Sequence, residues 1–137
     1  MCTTMLAWPT ESEVVTGPFG EPRGDHNHQG LDIRARNGRP AFSSYFGTVT
    51  RAGRVTRGGY GVFVTSPGGY STRSEDLGSN LAVHVGQLVS PGDVLGYSAP
   101  NPNESGPHLH FELRASNGAP VNPAMCIDIP AAPSNVG

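Results

Sequence analysis

Glycine and proline interrupt this chain so often that no stretch of it can form a long amphipathic helix. The 137 residues include 19 Gly and 13 Pro, and no window carries apolar residues at positions i, i+3, i+4 and i+7 over three turns. These residues stand between short apolar runs rather than in a repeat or a block. Such a distribution is typical of turns in a β protein rather than of a disordered chain.

Short runs of β-branched and aromatic residues recur between the turns. The pattern predicts strands at residues 48–50, 62–65, 83–85, 88–89, 94–97 and 109–113. The sequence Ser90-Pro91-Gly92-Asp93 is typical of a tight turn between two of them. Short strands joined by tight turns favour an all-β fold with an antiparallel sandwich or barrel-like core.

The length predicts one domain. We expect it to cover residues 1–126, with its core from about Leu6 to Pro123. Residues 127–137 form a tail rich in Pro and Ala that we expect to be loosely ordered. Cys2 and Cys126 stand near opposite ends of this domain, where a disulfide would join the termini. Two unrelated thiols are the alternative.

Charge and hydropathy do not favour a nucleic-acid-binding protein or a membrane protein. The formal net charge is −2, which does not favour binding to nucleic acid or to an anionic membrane. No apolar stretch approaches the ~20 residues that span a bilayer, so no membrane insertion is expected. The first nine residues lack the basic and apolar regions of a secretion signal. We therefore expect either a protein made without a signal or a signal outside this sequence.

Four of the five histidines fall into two short clusters, HNHQGLD at residues 26–32 and GPHLHF at residues 106–111. In the second cluster, residues two apart on a strand point to the same face. His108 and His110 therefore project together, while Leu109 and Phe111 point to the opposite face, towards the core.

The first cluster can supply further ligands, because His28 and Asp32 share one face of an extended segment. Together with one histidine of the second cluster they give a His/Asp/His set with an open fourth position, which suits zinc. The spacing alone leaves a second reading open, in which each cluster is an ordinary surface or core pair without a metal.

The residues around the two clusters resemble the signature of the lysostaphin and LytM family of zinc metallopeptidases. The resemblance covers the chain in order from about Trp8 to Pro123, which makes it far more specific than either histidine cluster. Its blocks are FG at 19–20, HQGLDI at 28–33, GRPA at 38–41, GTV at 47–49, VGQLVSPGDVLG at 85–96, SGPHLHFEL at 105–113 and VNP at 121–123.

The resemblance implies an antiparallel β core with a groove over a Zn²⁺ ion bound by His28, Asp32 and His110. It implies His108 as the catalytic base, which takes a proton from the attacking water and passes it to the leaving amine. The implied substrates are peptide cross-links or stem peptides of bacterial peptidoglycan. Three further residues have no counterpart in the family and are expected on the surface, namely Asp25, His26 and His84.

One family segment is changed at two positions in this chain. The family carries a second catalytic histidine in a Y-x-H-L segment, and alignment on Leu77 places Asp76 at that position and Ser74 at the tyrosine. A carboxylate there would repel a developing oxyanion, and the loss of such a donor typically costs about 10²–10³ in rate. Arg73 could supply a compensating positive charge if its side chain pointed inward.

Three functions follow from these residues. The first is a working peptidoglycan endopeptidase acting at the cell wall, outside the cell or in the periplasm; the bare domain and missing signal suggest a phage lysis or tail enzyme. The second is an impaired relative that keeps its zinc and binds cell wall or a partner protein. The third is a structural β domain, such as a virion component. The intact ligand set and His108 favour the first, Asp76 favours the second, and a purely structural role would not require His108.

Overall fold

The computed structural model describes residues 5–56, 59–99 and 107–129. The regular secondary structure in these parts is all β-strand, apart from one 3-10 turn at Pro123–Met125. The strands are β1 Leu6–Ala7, β2 Val15–Gly17, β3 Pro22–Arg23, β4 His26–Asn27, β5 Leu31–Arg34, β6 Pro40–Phe42, β7 Gly47–Arg54, β8 Tyr60–Thr65, β9 Ser71–Leu77, β10 Leu88–Val89, β11 Val94–Tyr97, β12 His108–Arg114, β13 Pro120–Val121 and β14 Ile127–Ile129.

Eight of these strands form the main sheet. Their order is β10-β7-β8-β9-β12-β5-β2, with β13 also pairing with β12, and every pair in this sheet is antiparallel. The prediction of an all-β, antiparallel fold is therefore confirmed. The prediction of a strand at residues 83–85 is wrong, because this segment pairs with no other strand and leads into the turn before β10. Val83 nevertheless packs in the core.

One face of the main sheet forms the hydrophobic core. Leu109 and Phe111 of β12 and Ile33 of β5 are at most 1% exposed, and each buried side chain of this kind contributes about 1.5–3 kcal/mol of burial free energy. Because side chains alternate along a strand, the residues between them point to the opposite face of the sheet. That face carries the histidines.

The neighbouring strand β9 was not predicted from the sequence. Its residues read STRSEDL, which lacks the apolar alternation of a half-buried strand. It lies between β8 and β12, so its backbone is paired on both sides. Ser74, Glu75 and Asp76 are consequently buried although they are polar.

The two ends of the domain meet. The strand β14 pairs in parallel with β1, and the amide of Leu6 donates to the carbonyl of Cys126 at 2.8 Å. Ordered structure thus extends through residue 129, beyond the predicted end of the domain, while residues 130–137 lie outside the described residues. Cys126 is disulfide-bonded, so it is not an unrelated thiol; Cys2, the other cysteine, also lies outside the described residues.

Among the described residues there is no helix with the length and hydropathy needed to cross a bilayer.

Candidate metal centre

The pairing of β5 with β12 brings the two histidine clusters together. His110 lies directly opposite Asp32 in this pair, and His108 lies opposite Arg34. Asp32, His108 and His110 therefore project from the same face. His28 enters from the loop before β5, across Gly30, where an added Cβ would lie 2.5 Å from the carbonyl oxygen of Phe111. The close approach of β5 to β12 consequently requires glycine at this position.

Three donor atoms form a nearly equilateral triangle on this face. The distance is 3.3 Å from His28 Nε2 to His110 Nδ1, 3.1 Å from His110 Nδ1 to Asp32 Oδ1 and 3.2 Å from His28 Nε2 to Asp32 Oδ1. A tetrahedral zinc ion with bonds of about 2.0–2.1 Å holds its donors about 3.3 Å apart. The three buried residues therefore fit a zinc ion in both chemistry and spacing.

Hydrogen bonds on the far side of each ring select the nitrogen that faces this triangle. His28 Nδ1 lies 2.9 Å from the carbonyl oxygen of Pro18, to which it must donate, so Nε2 carries the lone pair. His110 Nε2 lies 2.7 Å from Glu112 Oε2 and donates to it, so Nδ1 carries the lone pair. Both histidines are held in the tautomer that can bind a metal ion.

Asp32 is held as a carboxylate. Burial raises the pKa of its carboxyl group, but the adjacent His110 ring, the Arg23 guanidinium that donates to it, and the nearby His28 and His108 rings lower it more, so the net pKa lies well below the usual range. Arg23 donates to Asp32 Oδ2 at 3.1 Å. Because this bond occupies Oδ2, the other oxygen, Oδ1, is the one that faces the two histidine nitrogens.

Glu112 is stabilised in the same way. Burial alone would raise the pKa of its carboxyl group, but hydrogen bonds from His110 and Arg114 lower it to about 2. Arg114 donates to Glu112 Oε1 from Nε at 2.8 Å and from a terminal nitrogen at 2.6 Å. A charged Glu112 fixes the His110 ring and increases its basicity as a ligand.

His108 and Asp76 stand next to this triangle. His108 Nε2 lies 3.0 Å from Asp76 Oδ2 and 3.7 Å from Asp32 Oδ1. Asp76 has a φ of 69°, the one positive φ outside glycine in the described parts of the chain. Aspartate tolerates this left-handed conformation better than most residues. The structure thus brings all five sequence-predicted site residues into one cluster.

Comparison with known proteins identifies the family. The family model "Peptidase family M23" matches residues 26–123, a range that contains these five residues. The chain belongs to peptidase family M23. This membership confirms the resemblance predicted from the motifs.

Relatives and solved structures agree with the M23 assignment. The DD-carboxypeptidase/endopeptidase Mpg of Neisseria meningitidis is 39% identical over 98 residues, which are 70% of this chain and 22% of Mpg. The crystal structure of a zinc containing peptidase from Vibrio cholerae is 27% identical with a TM-score of 0.79, covering 92% of this chain and 41% of that one. The solution structure of lysostaphin is 25% identical with a TM-score of 0.72, covering 88% and 52%. The chain spans about a fifth of the length of the curated relatives it matches.

Of the remaining polar residues named from the sequence, Asp25, His26 and His84 lie on the surface, and Arg73 lies beside Glu112. Asp25 and His26 pair with each other on the surface at 2.8 Å, and His84 is exposed. Arg73 is directed towards Glu112 rather than Asp76, because its guanidinium lies over the Phe63 ring at 4.4 Å from the ring centre and 4.0 Å from Glu112 Oε1.

Three supporting residues were not found from the sequence of this M23 domain. Glu112 follows His110 by two residues and so shares its face, a spacing that could have revealed it. Arg23 reaches Asp32 from the end of β3, a contact for which the sequence carries no signal. Glu75 lies opposite His110 on β9, a strand that was not predicted.

Proposed function

We propose that this chain is a zinc endopeptidase domain that hydrolyses peptide bonds in bacterial peptidoglycan. The observation that carries the proposal is the triangle of buried donor atoms at zinc spacing, with His108 Nε2 beside it. Membership of a peptidase family and the DD-endopeptidase activity in the name of the relative Mpg support the reaction class. The zinc containing peptidase among the similar structures supports the choice of metal.

In this proposal three residues hold a metal ion, and a fourth residue transfers a proton. His28, Asp32 and His110 hold the ion, which when bound supplies Lewis acidity that polarises the scissile carbonyl and acidifies water. The His110–Glu112 hydrogen bond and the Pro18 carbonyl keep the two imidazole rings from turning. Arg23 offsets part of the negative charge of Asp32.

His108 carries the proton in this proposal. The attacking water gives one proton to Nε2 as its oxygen forms a bond to the scissile carbonyl carbon. The C–N bond then breaks, and the same proton moves to the leaving amine nitrogen. Asp76 Oδ2 lies 3.0 Å from Nε2 and can therefore stabilise the ring once this nitrogen carries the proton. An aspartate–histidine pair thus replaces the two histidines of the family pattern.

The same contact favours a second candidate function. A buried carboxylate beside the metal centre repels an oxyanion that develops there. This chain would then be an impaired relative that keeps its metal and binds a cell-wall peptide or a partner protein. The phage lysis or tail role predicted from the sequence stays a prediction in either case.

The disulfide at Cys126 supports a location outside the reducing cytosol. We therefore place the proposed activity in the periplasm or outside the cell, where peptidoglycan is accessible.

The first experiment measures the solubilisation of purified sacculi by the zinc-loaded protein. The wild type is compared with His108→Ala and with His84→Ala, the same change at an exposed histidine. We expect equal zinc content in all three proteins by atomic emission, and activity in the wild type and His84→Ala only. Activity in His108→Ala equal to that of the wild type would exclude this mechanism.

The second candidate is tested with Asp76→His. The backbone at position 76 accepts histidine, because histidine is also enriched at positive φ. An inactive wild type that binds zinc, together with solubilisation by Asp76→His, would overturn the enzyme proposal and support the impaired relative.

A further inference from the structure

A cavity of about 390 Å³ opens at the end of β5, and its walls include three arginines, Arg34, Arg36 and Arg39. Only one acidic residue, Glu11, stands among the described residues that line it. The three arginines and Glu11 give the described lining a formal charge of +2, whereas the whole chain carries −2. The cavity therefore concentrates positive charge.

One of the three arginines is already paired. Arg39 donates to both oxygens of Glu11 at 2.7 Å, from Nε and from a terminal nitrogen. Within the described part of the chain, neither Arg34 nor Arg36 forms an ion pair, and both are exposed. These two guanidinium groups remain available for an anionic ligand. A planar guanidinium binds a carboxylate through two parallel hydrogen bonds.

The register of the sheet places this cavity beside the catalytic face. Arg34 follows Asp32 by two residues on β5, so its side chain leaves the same face of the sheet. Arg34 also lies directly opposite His108 on β12, and residues paired in this way have Cβ atoms about 4.5–5.5 Å apart. A peptide with its scissile bond at His108 can therefore reach Arg34 with a group one or two residues away, since each extended residue spans about 3.3–3.6 Å.

We propose that Arg34 and Arg36 form a carboxylate-binding subsite, and that the peptide recognised by this domain carries a free carboxylate within about two residues of the scissile bond. This inference rests on the proposed function for the position of the scissile bond. The carboxylate can belong to the peptide C-terminus or to an acidic side chain, because both present the same pair of oxygens.

Binding to zinc-loaded His108→Ala, which is not expected to hydrolyse the peptide, tests the subsite without turnover. The probes are a fluorescein-labelled peptidoglycan stem peptide, its C-terminal amide, and a version whose side-chain carboxylates are amidated. We expect one of the two amidated probes to bind at least about 10-fold more weakly by fluorescence anisotropy. The probe that weakens identifies the source of the carboxylate.

Arginine variants of the His108→Ala protein test whether Arg34 and Arg36 cause the difference in affinity between the probes. Arg34→Gln and Arg36→Gln should abolish the difference between the probes, and Arg34→Lys should restore only part of it. Arg54→Gln is the matched control, because Arg54 lies on β7, four strands away in the sheet. We expect this control to keep the full difference. Unchanged zinc content in every variant shows that the metal centre is intact.

The two proposals fail in different ways. Equal affinity for all three probes, no binding of any probe, or an undiminished difference in both Arg34→Gln and Arg36→Gln would overturn the subsite. Hydrolysis of all three probes by the wild type with equal KM would overturn the subsite while supporting the proposed function. Carboxylate-dependent binding that is lost in the arginine variants, in a protein that hydrolyses no peptide, would support the subsite and overturn the enzyme.

Discussion

The Nε2 atom of His108 lies 3.0 Å from Oδ2 of Asp76, and the two side chains are only 8% and 1% exposed. The contact joins β12 to the end of β9, where Asp76 adopts a φ of 69°. Because a left-handed backbone at a non-glycine residue costs free energy, it persists only where surrounding contacts hold it, and such positions concentrate at functional sites. The geometry thus makes Asp76 the partner of His108.

Asp76→Asn tests this partnership with little change in shape, since asparagine tolerates the same backbone conformation. Loss of the negative charge should lower kcat by about 10–100-fold, with KM and zinc content nearly unchanged, because the protonated form of the His108 ring is less well stabilised. Steady-state kinetics on soluble peptidoglycan fragments measures both constants. Asp93→Asn, the same change in the turn before β11, is the control. A kcat of Asp76→Asn equal to that of the control would contradict the prediction.

Glu112 should make the metal-free protein sensitive to acid. Its pKa is lowered from an ordinary 4.5 to about 2 in the fold, so its stabilising contribution is complete above pH 4.5 and is lost as the pH falls towards 2. The shift corresponds to at most about 3 kcal/mol. Glu112→Gln should therefore have a lower free energy of unfolding than the wild type at pH 7, and the difference should shrink below pH 4.5.

Urea unfolding of the metal-free proteins at pH 7, 4.5, 3 and 2.5 measures this difference. Glu13→Gln, which removes an exposed carboxylate, is the control and should differ little from the wild type at every pH. A difference between Glu112→Gln and the wild type that stays constant from pH 7 to 2.5 would show that the charge of Glu112 does not contribute.

Gly30 should be essential for the approach of β5 to β12. A Cβ at this position would meet the Phe111 carbonyl oxygen at 2.5 Å and Glu112 Cγ at 2.9 Å, and backbone cannot move aside without shifting the metal ligands. Gly30→Ala should cost about 1–3 kcal/mol of stability and weaken zinc binding. Gly53→Ala is the control, because nothing lies within 4 Å of its added Cβ. Thermal unfolding and a zinc titration of both variants decide the question; equal zinc affinities would contradict the prediction.

The parts of the site that could be predicted lie on strands with regular alternation. His108 and His110 share a face because they are two residues apart, and the same rule buried Leu109 and Phe111. The strand β9 escaped prediction because its burial comes from its neighbours β8 and β12 rather than from apolar residues of its own. Residues 83–85 gave the opposite error, because a strand was predicted where none forms. Their valines favour a strand, but Val83 is buried in the core from a segment outside any ladder.

Contacts made by loops could not be predicted at all. The ion pair between Arg23 and Asp32 depends on the path of the β3–β4 turn, and the cavity beside Arg34 depends on how the loop before β6 returns to the sheet. No periodicity in the sequence encodes either path.

Removal of the disulfide should loosen the ends of the domain before the main sheet. Cys126 is disulfide-bonded, and its carbonyl accepts a hydrogen bond from the amide of Leu6 at 2.8 Å. The pair of β1 and β14 beside it is only two or three residues long, so its ladder supplies few hydrogen bonds of its own. Cys126→Ser should lower the free energy of unfolding by about 2–4 kcal/mol.

Hydrogen exchange separates this local effect from a general one. The Leu6 amide should exchange much faster in Cys126→Ser, whereas the Val49 amide, which donates to the Gln87 carbonyl at 2.9 Å beside β10, should accelerate only as far as the loss of global stability requires. Dithiothreitol should reproduce the change in the wild type and have no effect on the variant. Equal acceleration at both amides would mean that the disulfide stabilises the domain as one cooperative unit rather than clamping its ends.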